Sequence, residues 1–149
     1  WPMVELWLGL LAKHRADFTL SWRGWSNACA QWADEGATQS HALLRQHVSL
    51  GLATDPELPD LMQRHRDWLS SQDQPLAQAA QVMRASNPAR VLRNHLAELA
   101  IRQAQAGDYS EVQRLQAALT NPFIDDPQWD PYAQLPPSWA SDLQISCSS

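Results

Sequence analysis

The side chains in this sequence that could do chemistry are five histidines, two cysteines and a scatter of carboxylates and hydroxyls. His14, His41, His47, His65 and His95 stand far apart, and the one ligand-like spacing is His95 with Glu98. That pair offers two groups where a metal site needs at least three, so no metal is expected. Serine, histidine and aspartate all occur, but no Gly-x-Ser-x-Gly elbow presents a nucleophile. Gly9, Gly24, Gly36, Gly51 and Gly107 are isolated, so no glycine-rich loop is available to cradle phosphates. On this reading the chain holds no catalytic residue and binds no cofactor.

A few polar residues still stand out. Cys147 lies third from the end in Ile145-Ser146-Cys147-Ser148-Ser149, where an accessible thiol becomes reactive only if its pKa is lowered. Arg93-Asn94 follows Val91-Leu92 and is expected to tie down a loop or helix end by side-chain hydrogen bonds. Replacing either by alanine is expected to cost about 1 to 3 kcal/mol. Arg64-His65-Arg66-Asp67 reads as a charged face around one apolar position. Trp7, Trp22, Trp25, Trp32 and Trp68 share helical stripes with aliphatic residues, which points to core packing rather than a stacking platform.

The elements that would position these residues are helical. Val4, Leu6, Trp7, Leu10 and Leu11 recur at helical spacing from Pro2 to His14, and a second stripe from Phe18 to Trp32 follows the N-cap candidate Asp17. A third helix is expected over Ser40–Leu50, a fourth from Pro59 or Asp60 to Ser70, and a fifth after Pro75 up to Asn87-Pro88. Pro88 could open the longest helix, with Val91, Leu92, His95, Leu96, Leu99 and Ala100 on one face and Gly107 as its stop. Asp108 or Ser110 then caps a last helix that Asn121-Pro122 ends.

Beyond Pro122 the chain is rich in proline and acid, yet it keeps Phe123, Trp129, Tyr132, Leu135 and Trp139. A free tail would carry few rings, so an extended arm laid on the helical body is expected. No β-branched alternating run occurs. The expected fold is all-α: an irregular bundle of six or seven helices in one domain over 1–149, with a body at 1–120 and an arm at 121–149.

Composition narrows the function. A net charge of −5 has the wrong sign for phosphate neutralisation, so no nucleic-acid partner is expected. The longest apolar stretch, Leu6 to Ala12, is far short of the roughly 20 residues needed to span a bilayer, so no membrane partner is expected either. Two widely separated cysteines do not make a secreted disulfide framework, and a reducing, cytoplasmic home fits better. The opening Trp1-Pro2-Met3 shows no secretory signal and reads as part of a longer polypeptide.

The second half carries motifs specific enough to suggest a family. Asn87-Pro88, Val91-Leu92-Arg93-Asn94, Gly107-Asp108-Tyr109-Ser110-Glu111-Val112, Arg114-Leu115 and Asn121-Pro122-Phe123 occur in order, followed by Tyr132-Ala133, Leu135-Pro136-Pro137, Trp139-Ala140 and the terminal Ser-Cys-Ser-Ser. This wording resembles the C-terminal region of selenoprotein O-like proteins, strongly from Met83 onward and more weakly before it. The resemblance implies a parent that is a kinase-like protein adenylyltransferase, moving AMP from ATP, with magnesium, to hydroxyl side chains of protein substrates.

Its catalytic lysine, glutamate and metal-binding acids belong to an upstream kinase-like domain, which would be this chain's partner. Lys13, the sole lysine, has no such context. The resemblance also implies a redox role for Cys147, although Ser146 before it rules out a vicinal pair. Asn87, Arg93 and Asn94 are the structural motif that carries over. The alternative is a stand-alone helical interaction module without an enzymatic parent.

Overall fold

The computed structural model describes residues 2–34, 44, 48–140 and 143. Among these residues the regular structure is helical and contains no strand, as the 3.6-residue periodicity requires. The chain divides into two compact units, residues 1–88 and 89–149.

In the first unit, α1 (Pro2–Lys13) and α2 (Phe18–Asp34) follow the two expected stripes. Asp17 caps α2, its Oδ1 accepting the Leu20 N–H at 2.9 Å. Of the helix expected over Ser40–Leu50, Leu44 is helical and fully buried, while residues 40–43 and 45–47 lie outside the described residues. A short α3 (Leu50–Ala53) is capped by Ser49, whose hydroxyl accepts the Leu52 N–H.

Helix α4 (Glu57–Ser70) begins ahead of the expected Pro59 or Asp60. The reason is Asp55: its carboxylate accepts the Glu57 N–H at 2.9 Å and its carbonyl accepts that of Leu58 at 3.2 Å. Pro59 therefore falls in the first turn, where a missing N–H costs nothing. Helix α5 (Leu76–Ser86) follows Pro75 as expected. Trp7, Leu10, Trp25, Cys29, Trp32, Leu52, Leu61 and Met62 form the core of this unit.

The second unit opens differently from expectation. Pro88 does not start a helix, because residues 88–93 form a non-helical strap and α6 spans Asn94–Gln105. The strap is held by its own hydrogen bonds: the Ala89 N–H donates to the Pro122 carbonyl at 2.8 Å, and the Arg93 carbonyl accepts those of Leu96 and Ala97. The longest described helix is α2, with 17 residues.

Gly107, at φ +88°, stops α6 in the left-handed conformation that only glycine adopts freely, and the Asp108 N–H returns to the Gln103 carbonyl. Asp108 then accepts the Ser110 N–H at 2.9 Å as α7 (Ser110–Thr120) begins.

The segment after Thr120 belongs to this second unit. It coils into 3₁₀ turns at Pro127–Ala133 and Ser138–Ala140. Tyr132 joins Leu96, Ala100, Leu115 and Ala118 in a small core, with Trp129 and Leu119 packed against it. Each of the two units thus buries its own cluster of apolar residues.

Candidate functional site

Four sets of polar or aromatic side chains are candidates, and three of them are consumed by structure. At the end of α1, the Lys13 ammonium (2.8 Å) and the His14 Nε2–H (2.6 Å) both donate to Asp55 Oδ2, while Oδ1 is engaged by the Glu57 N–H. These hydrogen bonds, that of Lys13 first, hold the Asp55 carboxyl far below the usual carboxylate range. A β-carbon on Gly51 would stand 2.9 Å from His14 Nδ1, so a glycine is what lets the ring reach Asp55.

Across α2 and the end of α5, the buried Arg23 donates from Nη1 to the carbonyls of Arg84 and Asn87, both at 2.9 Å. Arg84 donates to Asn27 Oδ1 at 3.0 Å, and Asn87 Nδ2 to Ser26 Oγ at 2.9 Å. Asn87 therefore sits in a polar seam that pins the C-terminus of α5 to α2. In the same sequence motif, Asn94 is the exposed first residue of α6 and Arg93 is half-buried just before it.

Arg90 ties down a helix end. Its Nε donates to the Ala118 carbonyl at 2.6 Å, Nη2 to Asn121 at 2.9 Å and Nη1 to Ile124 at 3.0 Å, so one buried guanidinium satisfies the carbonyls where α7 ends. Glu111, on α7, accepts the Tyr132 hydroxyl at 2.7 Å, and burial together with this bond pushes that phenol up to about 12.

The fourth set is a groove in the first unit, about 510 Å³ in volume and lined by the first turn of α1 with Trp7, Trp22, Trp25, Leu61, His65, Trp68 and Met83. Trp25 Nε1–H donates to His65 Nδ1 at 2.8 Å, and Trp68 stacks on the other side of the imidazole. Burial lowers His65 to about 4. Cys29 Sγ lies 3.7 Å from the same Nδ1, the arrangement of a nucleophile and its base.

The electrostatics are opposite to that role. Burial drives the Cys29 thiol well above its ordinary value while the imidazole is driven down, so proton transfer to a thiolate–imidazolium pair is disfavoured twice. Trp7, Trp25 and Trp32 are buried as expected of core residues, whereas Trp68 is 49% exposed. His65, expected on the apolar stripe between charged neighbours, is the polar centre of this aromatic cluster.

Of the remaining candidates, His95 is buried edge-on to Trp139. Among the described residues no group of three or more His, Cys, Asp or Glu side chains is placed to hold a metal. Cys147, with His41 and His47, lies outside the described residues.

No family model matches the chain. Individual relatives do. The chain is 42% identical over 143 residues, 95% of its length, to "Protein nucleotidyltransferase YdiU" of Dechloromonas aromatica, and 42% identical over 136 residues to the protein of that name from Paraburkholderia xenovorans. A third, from Cupriavidus metallidurans, is 38% identical over 140 residues. The chain spans only 28%, 24% and 24% of these proteins' own lengths. It belongs to the selenoprotein O-like family of protein nucleotidyltransferases and corresponds to about a quarter of the length of such a protein.

Proposed function

We propose that these residues are the C-terminal helical domain of a selenoprotein O-like protein adenylyltransferase, and that they support its kinase-like domain without taking part in the chemistry. The parent would bind ATP and magnesium in that upstream domain and transfer AMP to serine, threonine or tyrosine hydroxyls of other proteins. A new oxygen–phosphorus bond forms at the α-phosphate and pyrophosphate leaves. In this reading the nucleotide, the metal and the protein substrates meet the parent elsewhere, the protein works in the cytoplasm, and Cys147 serves redox control.

The observation that carries the proposal is the pattern of similarity, which extends over 95% of this chain yet only 28% of the relative. The polar chemistry described above supports it, since Asp55, Arg23, Arg90 and Glu111 are each committed to a helix end or a helix pair. As for the membrane, no helix among the described residues is long and apolar enough to cross one.

The test is AMP transfer from labelled ATP with magnesium to an acceptor protein. The intact parent is expected to label it, and the 149-residue chain alone to leave it unlabelled. Labelling by the chain alone would overturn the proposal.

A further inference from the structure

The groove of the first unit is not used by any of the roles assigned so far. Among the described residues its walls are mainly indole rings, a neutral imidazole and methionine, and no lysine, arginine or carboxylate lines it. A charged side chain entering it would lose its hydration without gaining a partner, whereas an uncharged apolar one would remove the ring surfaces from water.

Trp68 marks the mouth. Half of this ring stays in water although it stacks on His65 at an interplanar angle of 14°. A half-exposed tryptophan at the rim of an apolar cavity is the composition of a protein contact, not of a free surface.

The occupant's source follows from length: in relatives of which this chain makes up 28% or 24%, most of the polypeptide lies outside the matched region. We infer that the tryptophan groove is the dock for an uncharged apolar side chain carried by a segment of the parent protein outside these 149 residues. The inference rests on the proposal that the chain is one domain of a longer adenylyltransferase, and it names the surface through which that domain is held.

Hydroxyl-radical footprinting with mass-spectrometric readout at Trp68 tests it, comparing the intact parent with the 149-residue chain. Oxidation of Trp68 is expected to be several-fold slower in the parent at every protein concentration. A Trp68→Glu substitution in the parent is expected to restore fast oxidation of Met3 on the opposite wall. Equal rates at Trp68 in parent and chain would overturn the inference. So would protection of the chain alone that grows with its concentration, which would assign the groove to a second copy, or protection of the parent that disappears on dialysis, which would assign it to a small molecule. A parent that protects Trp68 but transfers no AMP would leave the dock standing and refute the proposed activity.

Discussion

Arg90 is surrounded by three carbonyl oxygens from the end of α7 and the turn after it, and it is 3% exposed. Replacing it by alanine would leave those buried acceptors unpaired. Arg90→Ala is expected to lower stability on the order of 3 kcal/mol. Asn94→Ala, at an exposed helix start, should change stability by less than about 0.5 kcal/mol. Denaturant unfolding of the two variants checks both values.

His65 makes a separate prediction about pH. Its folded pKa, about 4, lies below the ordinary value of 6.5, so between these pH values the unfolded chain binds the proton that the folded one refuses. Stability from this residue is therefore complete above pH 6.5 and is lost as the pH falls toward 4, at up to about 1.4 kcal/mol per pH unit. His65→Gln, which does not titrate, should flatten unfolding free energy across that window, and a wild-type profile with no slope there would refute the burial argument. Asp55, with its lowered pKa, adds its own loss only below the usual carboxylate range.

Side-chain roles at this scale were the least legible in the sequence. Arg90, which the sequence did not single out, ties down the end of α7, because only the folded strap shows which carbonyls its guanidinium reaches. Asp55 was hidden for a similar reason, since its partners Lys13 and His14 are more than forty residues away in sequence.

Among the elements, periodicity fixed helix type well and boundaries less well. α1, α2, α5 and α7 lie where apolar spacing and caps place them, because both signals are local. The start of α6 was missed because Pro88 is compatible with a helix start, and what prevents one is the long-range bond from Ala89 to Pro122 together with the three from Arg90. The division at residue 88 is a property of contacts, which no composition shift announces.

The segment after Thr120 makes the element-scale prediction. Tyr132 and Trp129 cover Leu96, Ala100, Leu115 and Ala118, and the Tyr132 hydroxyl anchors on Glu111. Truncation after Thr120 should strip that cover and the Arg90 acceptors Asn121 and Ile124, so that α6 and α7 lose protection from hydrogen exchange. Tyr132→Phe, which keeps the ring, should cost only about 1 kcal/mol. A truncated chain with unchanged protection in α6 and α7 would show that the segment does not support the second unit.

For the whole molecule, the all-α class and the family were readable from spacing and from motifs after Met83, and both stand. The groove was not readable, because Trp22, Trp68 and Met83 come from three helices and look in sequence like ordinary core positions. Its tryptophans are divided by the fold between a packed interior and an exposed rim.

Whether these helices hold a nucleotide site is decided by calorimetric titration of ATP with magnesium into the reduced 149-residue chain at high concentration. No heat beyond dilution is expected. Saturable binding would contradict this expectation, and would mean that the helices form a nucleotide site of their own.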